Sequence, residues 1–227
     1  MTARGSVPGT TEGPDRTIAC EDRDFVEWHG GCEHALVWAV EADAAPVRAA
    51  VASARERWSD VLLPRHLRQP HITVAYAGPV PAPGATPVDA PYTRERFVSD
   101  LERLRAVGVG SFTVRVGGWD TFPMVPYLPA AAPELARLNA ALTQGSPHDG
   151  GYVPHVTIGH YAVSRPTDEV RARAAGWRAP RIDPLEVAEI SLLAYATRDI
   201  AGPLTTVGRL RLADGAWLRT SLLPGFG

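Results

Sequence analysis

Two short segments of this sequence carry the same ordered set of residue types. Positions 70–74 read Pro-His-Ile-Thr-Val, and positions 154–158 read Pro-His-Val-Thr-Ile. In each copy a histidine and a threonine stand two residues apart in an apolar run, which is typical of a β-strand whose alternate residues share a face. Imidazoles and hydroxyls on one face can move protons and donate to an anionic group, as phosphate-ester chemistry requires. The residues concerned are His71, Thr73, His155 and Thr157.

A single His-x-Thr segment would be weak evidence of function. Histidine can be accommodated in a half-buried strand, and threonine is simply a good strand former. The duplication favours a functional interpretation, because the two histidines are 84 residues apart and leave room for comparable flanking elements in each half. We therefore expect the polar residues to line a cleft and the aliphatic residues between them to face a core, namely Ile72, Val74, Val156 and Ile158.

Hydrolysis of a phosphate ester requires one group that takes a proton from water and another that gives a proton to the leaving oxygen. A histidine with an unperturbed pKa near ~6.5 can do either near neutral pH. One neutral and one protonated histidine form such a pair, and each contributes about 10²–10⁴-fold to the rate. His71 and His155 are thus the candidate catalytic residues. Thr73 and Thr157 are the candidate phosphate-binding residues, since their hydroxyls can donate to the non-bridging oxygens.

The composition limits the partners of this chain. It has 227 residues and is 45% hydrophobic, which is enough for one large domain or two packed lobes. The formal net charge of −2 provides no basic field for tight, non-specific binding of nucleic acid. We therefore expect a short substrate, such as an RNA end, an oligonucleotide or a small nucleotide.

The sequence also lacks export signals. No stretch approaches the ~20 apolar residues that cross a bilayer, and the N-terminus has no basic start followed by an apolar segment. Cys20 and Cys32 have no metal-ligand spacing, which fits free thiols in a reducing cytoplasm. The expectation is a cytoplasmic monomer with no membrane partner, no cofactor and no metal.

Hydrophobic periodicity predicts a similar order of elements in each half. Residues 1–24 lack it and are expected to form a flexible arm before a single bilobal domain at 25–227. Strands are predicted over 33–41, 70–77, 111–116, 121–128, 152–161 and 185–197, with a final hairpin of 205–212 and 216–222. Helices are predicted over 45–59, 93–107, 133–142 and 167–176. This order indicates an α+β class: a duplicated, bilobal fold with two facing antiparallel sheets, outer helices and a central cleft.

With both motifs and their context in hand, the chain resembles the 2H phosphoesterase superfamily, in particular its bacterial 2′-5′ RNA ligase and cyclic phosphodiesterase branch. The resemblance rests on Pro-His-Ile-Thr-Val-Ala-Tyr-Ala-Gly at 70–78 and Pro-His-Val-Thr-Ile-Gly at 154–159, and extends loosely over 33–212. It implies a pseudo-twofold α+β fold and a phosphoric diester hydrolase of RNA processing. Such an enzyme opens 2′,3′-cyclic phosphates without a metal, and some members instead join RNA ends through 2′-5′ linkages.

The resemblance also implies an order for the two histidines. His155 would activate water and His71 would protonate the 3′ oxygen, so that the product keeps a 2′-phosphate. The residues themselves leave the opposite order open, because the constellation is symmetric.

One position departs from the family pattern. Related sequences often carry arginine five residues after the second motif histidine, where this chain has His160. The change removes a permanently charged, bidentate phosphate contact. Arg65, Arg68 or Arg165 is then a candidate to supply the charge from a loop. His160 itself reaches the site only if a bulge reverses its strand parity.

Aromatic residues are the remaining candidates for substrate binding. Tyr152 or Trp119 could stack on an unpaired base, although ordinary packing explains each of them at least as well. Tyr76 has the parity of Val74 and is expected to pack in the core.

Two other functions remain open. A metalloprotein could use His71, His155 and His160, but no carboxylate accompanies them in a ligand pattern and threonine is a poor ligand. A nucleotide- or RNA-end-binding module would use the same fold and the same polar residues without turnover. Loss of activity with a chelator would favour the metal, whereas thermal stabilisation by nucleotides without turnover would favour the binding module.

Overall fold

A computed structural model describes residues 15–23, 29–81, 91–144 and 151–221. Four helices are found in these residues: α1 (Ala45–Arg57), α2 (Arg94–Ala106), α3 (Pro133–Thr143) and α4 (Thr167–Ala174). The strands are β1 (His34–Glu41), β2 (His71–Pro79), β3 (Phe112–Val116), β4 (Asp120–Thr121), β5 (Pro126–Ala131), β6 (His155–Thr157), β7 (Leu185–Val187), β8 (Glu189–Ala196), β9 (Thr205–Arg211) and β10 (Trp217–Arg219). None of the described helices is long and apolar enough to cross a bilayer.

The strands form one antiparallel sheet in the order β10-β9-β8-β1-β2-β6-β5-β3-β7, with β4 paired to β5. The two halves of the chain repeat one unit, since β1 and β2 flank α1 and β5 and β6 flank α3. The two units meet where β2 pairs with β6, so the two sheets expected from the sequence join into one curled surface. The α+β class and its duplicated antiparallel arrangement are confirmed.

Local sequence signals start the helices. Thr93 caps α2, where its hydroxyl oxygen accepts a hydrogen bond from the Arg96 amide at 3.3 Å. A proline stands in the first turn of α1 and of α3, where its missing N–H breaks no helical hydrogen bond. All four helices begin and end within two residues of their predicted limits.

The second motif strand is shorter than the sequence predicted. β6 covers three residues, whereas a strand over 152–161 was expected. Its neighbour β5 contains Pro126 and Pro129, which have no backbone N–H to donate to a ladder. Beyond β6 the Ile158 amide still donates to the Pro126 carbonyl at 2.9 Å, but regular pairing has ended.

Two other expected strands are each divided in two. The segment 121–128 turns between β4 and β5, where the Phe122 amide donates to the Val125 carbonyl at 2.9 Å. The segment 185–197 is divided between β7, which pairs with β3, and β8, which pairs with β1. The chain therefore crosses from the second half of the sheet to the first within this segment.

Residues 15–23 differ from the flexible arm that the sequence suggested. The Thr17 amide donates to the Arg165 carbonyl at 2.8 Å, and the Cys20 amide donates to the Tyr161 carbonyl at 2.7 Å. The side chains of Thr17 and Cys20 are buried. Backbone hydrogen bonds hold this segment, which explains why hydrophobic periodicity gave no sign of it. The rest of the predicted arm lies outside the described residues.

The aliphatic residues of both motifs lie in the core, as expected. Ile72, Val74, Val156 and Ile158 are fully buried. Cys20 and Cys32 are both buried, and no disulfide joins them.

Truncating Ile72 tests how far the central strand pair stabilises the fold. We expect Ile72→Ala to lower the free energy of unfolding by about 2–5 kcal/mol, because it removes buried contacts and leaves a cavity. Urea denaturation measures this change. Ile18→Ala is a matched control, since Ile18 is 48% exposed, and its effect should stay below about 1 kcal/mol. Equal effects of the two substitutions would contradict the central role of Ile72.

Candidate active site

The sheet brings the two motif strands side by side. β2 and β6 pair antiparallel, with Ile72 opposite Val156. Residues opposite one another in such a pair have Cβ atoms about 4.5–5.5 Å apart on the same face. Continuing this register places each motif histidine across from the threonine of the other copy. The two mixed pairs are His71 with Thr157 and Thr73 with His155.

Both histidines are held in the same way. His71 Nδ1 lies 2.9 Å from the Gln69 carbonyl oxygen, and His155 Nδ1 lies 2.7 Å from the Val153 carbonyl oxygen. A carbonyl oxygen can only accept, so Nδ1 carries the proton in each neutral ring. Nε2 is then left to accept a proton as a base or, when protonated, to donate one as an acid.

Burial favours the neutral form of both imidazoles. It lowers the pKa of His71 to about 4, although the hydrogen bond to the Gln69 carbonyl opposes the change. The charge of Arg68 and that of a protonated His155 lower this pKa further. Burial also lowers the pKa of His155, although its hydrogen bond to the Val153 carbonyl opposes the change. An anion bound between them would favour the charged form and raise both pKa values.

Gln69 fixes the start of β2, a role that no sequence pattern indicates. Its Nε2 donates to the Leu204 carbonyl at 3.1 Å, and its Oε1 accepts from the Leu204 amide at 2.8 Å. The side-chain amide thus forms hydrogen bonds with both backbone groups of Leu204, as the backbone of an adjacent strand would. Since the Gln69 carbonyl holds His71, this clamp determines the orientation of that imidazole.

An aromatic cavity of about 280 Å³ opens beside the Thr73–His155 pair. The rings of Tyr76, Phe122 and Tyr152 contribute to its walls. The Phe122 ring meets the His155 ring edge-on with centroids 5.1 Å apart. The Tyr152 hydroxyl donates to the Thr73 carbonyl at 3.0 Å. The cavity is therefore continuous with this half of the polar site.

A β-bulge directs Tyr76 into the cavity. Thr73 and Ala75 lie opposite consecutive residues of β1, so Val74 is an extra residue in β2. A bulge of this kind reverses the alternation of faces beyond it. Tyr76 consequently shares the face of Thr73 and is 43% exposed. The expectation that Tyr76 packs in the core is wrong.

The opposite flank of the site is polar and charged. Glu41 lies across from His71 in the register of β1 and β2. Its carboxylate accepts from Ser191 Oγ at 2.6 Å and from Arg209 Nε at 2.9 Å. Burial alone would raise the pKa of Glu41, but these hydrogen bonds outweigh it and the pKa is lowered. The two flanks of the site therefore differ: one is aromatic, and the other carries a paired carboxylate.

The sequence pattern of the 2′-5′ RNA ligase superfamily matches residues 42–199 of this chain. The match covers more than half of the protein and includes both histidines and both threonines. The chain belongs to this superfamily. It matches no curated protein sequence.

Several solved structures have a similar fold. The protein TT0787 of Thermus thermophilus has 19% identity and a TM-score of 0.51, over 78% of this chain and 97% of that chain. E. coli LigT in its apo form has 15% identity and a TM-score of 0.53, over 80% of this chain and 98% of that chain. E. coli LigT complexed with 3′-AMP has 16% identity and the same TM-score and coverage. At these identities the likeness concerns the fold alone.

His160 stands where members of the superfamily often have arginine. β6 ends at Thr157, so His160 has left the strand and is buried beside His66, with ring centroids 6.2 Å apart. Burial and the charges of Arg68 and Arg55 lower its pKa to about 4. Nδ1 of each ring is buried without a hydrogen-bond partner in the described part of the chain. The position thus holds a neutral imidazole outside the four-residue set.

Arg68 lies close enough to act on His71 through its charge. Its guanidinium is held by the loop after β8, where Nε donates to the Gly202 carbonyl at 3.4 Å and Nη2 donates to the Asp199 carbonyl at 3.5 Å. It also lies 4.5 Å above the centre of the Tyr195 ring. Of the arginines considered from the sequence, Arg68 is the one that the structure connects electrostatically to a motif histidine.

The other two arginines have partners elsewhere. Arg165 is exposed, its backbone amide binds Thr17 Oγ1 at 2.9 Å, and its charge acts on Asp60. Arg65 forms an ion pair with Asp199. The described contacts therefore do not bring Arg165 to the His–Thr pairs.

Trp119 does not line the aromatic cavity. It stacks on the buried Trp58 with ring centroids 4.9 Å apart and packs against the core. Of the two residues considered for base stacking, Tyr152 faces the site and Trp119 does not. The described residues contain no group of three or more His, Cys, Asp or Glu side chains arranged to hold a metal ion.

Removing the charge of Arg68 tests its action on His71. We expect Arg68→Gln to raise the pKa of His71, because a nearby positive charge no longer opposes protonation. NMR titration of the imidazole Cε1–H resonance measures this pKa, and His71→Gln assigns the signal. Arg171→Gln is the control, since Arg171 is paired with Asp120 at 3.1 Å and should leave the midpoint unchanged. A midpoint that does not move in Arg68→Gln would exclude the electrostatic connection.

Proposed function

We propose that the protein is a metal-independent phosphodiesterase that hydrolyses 2′,3′-cyclic phosphates of RNA ends or small nucleotides by two-histidine acid/base catalysis. The main support for this proposal is the pairing of β2 with β6. With Ile72 opposite Val156, each histidine lies across from the threonine of the other strand. Membership of the 2′-5′ RNA ligase superfamily supports a phosphoester substrate.

The four residues provide the groups that hydrolysis needs. A phosphate held between the pairs can accept hydrogen bonds from the hydroxyls of Thr73 and Thr157, which offset the charge that builds on its non-bridging oxygens. Water attacks phosphorus, its proton passes to Nε2 of one histidine, and the bond to one ribose oxygen breaks. That oxygen takes the proton of the other histidine. Exchange with solvent then restores both imidazoles.

The electrostatics of the site suit an anionic substrate. Both imidazoles have lowered pKa values, and the charge of Arg68 opposes protonation of His71. A bound phosphodiester offsets that repulsion and favours one protonated imidazole. The base is then available in the free protein, and the substrate itself stabilises the acid. In the order implied by the family resemblance, His155 is the base and His71 is the acid.

Nucleotides are the proposed class of substrate. E. coli LigT has been solved with 3′-AMP, with ATP and with NADP⁺, which makes a nucleotide-binding cleft on this fold a reasonable model for the present chain. Joining of RNA ends would use the same groups, with a ribose hydroxyl in place of water as the nucleophile.

The first experiment measures hydrolysis of 2′,3′-cyclic nucleotides in excess EDTA and resolves the 2′- from the 3′-phosphate product. We expect turnover by the wild-type protein, and a loss of about 10²–10⁴-fold in kcat in His71→Ala and in His155→Ala. His34→Ala is the matched control and should retain activity within about twofold.

Each other outcome of this experiment has a definite meaning. Loss of activity in EDTA would contradict metal independence. An inactive wild-type protein that nucleotides nevertheless stabilise against heat would identify a binding module. A 3′-phosphate product would contradict protonation of the 3′ oxygen by His71.

The pH dependence provides a separate test. The value of kcat/KM reports the free enzyme, in which the pKa of His71 is about 4 and that of His155 is also lowered. It should therefore be bell-shaped, with its maximum on the acid side of ~6.5. Activity falls at higher pH as the acid loses its proton, and at lower pH as the base gains one. The maximum of kcat should lie at higher pH, because bound phosphate raises both pKa values. A profile with a single limb would contradict paired histidines.

A further inference from the structure

Polar side chains also line the aromatic cavity beside Thr73 and His155. Besides its rings, it is lined by Asn139 and Thr143 from α3. The hydrogen bonds of Asn139, Thr143 and Tyr152 all run to backbone carbonyls. Their directions determine what the cavity offers to a ligand.

The amide of Asn139 has a fixed orientation. Its Nδ2 donates to the Val74 carbonyl at 2.7 Å. Because a carbonyl oxygen cannot donate, the nitrogen must face Val74 and Oδ1 must face away from it. Oδ1 receives no hydrogen bond from any described residue and is not among the buried, unpartnered atoms. It is therefore an accessible acceptor.

The hydroxyls of Thr143 and Tyr152 each donate their single proton to a backbone carbonyl. Thr143 Oγ1 donates to the Asn139 carbonyl at 2.9 Å, and the Tyr152 hydroxyl donates to the Thr73 carbonyl at 3.0 Å. A hydroxyl has one proton and two lone pairs, so each oxygen keeps only the capacity to accept. Burial raises the pKa of Tyr152, so the phenol stays protonated and its donated hydrogen bond persists.

Asn139, Thr143 and Tyr152 therefore offer three acceptor oxygens against one remaining N–H of the Asn139 amide, in a cavity whose aromatic walls suit a planar ring. The set favours a ligand that brings hydrogen-bond donors. A carbonyl oxygen placed against these three oxygens would lose its hydration without gaining a hydrogen bond from them, which is unfavourable.

We propose that this acceptor set selects the nucleobase of the substrate, favouring bases with an exocyclic amino group, adenine and cytosine, over uracil. Adenine and cytosine present an amino donor where uracil presents a carbonyl acceptor. The proposal rests on the proposed function for its catalytic consequence, because the cavity adjoins the Thr73–His155 pair. A base seated in the cavity would belong to the nucleoside whose phosphate lies at that pair.

The test compares kcat/KM for the 2′,3′-cyclic phosphates of adenosine, cytidine and uridine. We expect the adenosine and cytidine substrates to exceed uridine by about tenfold. Thr143→Val and Tyr152→Phe each remove one acceptor at nearly constant shape, so the adenosine-to-uridine ratio should fall to about 2–3. Thr113→Val is the matched control, because Thr113 is exposed on β3, and it should keep the wild-type ratio.

Calorimetric titration with adenosine 3′-monophosphate and uridine 3′-monophosphate separates this inference from the proposed function. Preference for the adenosine nucleotide without any turnover would support the base selection and refute the phosphodiesterase. Turnover with kcat/KM equal within twofold for the three substrates would overturn the base selection and leave the phosphodiesterase standing. A preference for uridine, equal binding of both nucleotides, or no binding of either would also overturn it.

Discussion

The pairing of Ile72 with Val156 at the centre of the sheet determines where the polar groups of the site can lie. Both side chains are fully buried, and strand residues alternate between faces. The flanking histidines and threonines must then lie together on the other face. A slip of one residue would bury all four polar groups and expose the aliphatic ones, which is strongly unfavourable. The burial of these aliphatic side chains thus determines where the two histidines and two threonines lie.

Around that centre, backbone carbonyls do much of the positioning. They orient both imidazoles, through Gln69 and Val153, and they also fix the polar side chains of the aromatic cavity, such as Asn139 and Tyr152. Most of the donor protons are used in these contacts, so the site presents mainly lone pairs and imidazoles whose neutral form is favoured by burial. Arg68 adds a positive charge nearby without entering the pairs. The two His–Thr pairs contain no negatively charged side chain. A bound anion would supply a negative charge there.

The sequence predicted what depends on local alternation, and it did not predict what depends on contacts between distant segments. The α+β class, the four helices and the burial of Ile72 and Val156 follow from periodicity within single elements. Tyr76 was placed wrongly because the bulge at Val74 arises from the register with β1. The clamp between Gln69 and Leu204 joins residues far apart in the chain. Neither feature has a signature in the residues nearby.

The inequality of the two flanks has a consequence for substrate polarity. A site built from two equivalent halves would accept a phosphodiester in either direction and would cleave either ester bond. Here the rings of Phe122 and Tyr152 form the flank of the site beside His155. The flank beside His71 carries Glu41 with its partner Arg209. In the proposed reaction, a nucleoside would place its base against the rings, so that only one ester oxygen would lie beside each histidine. The surroundings of the duplicated centre, which has no direction of its own, would then determine which ester bond the proposed reaction cleaves.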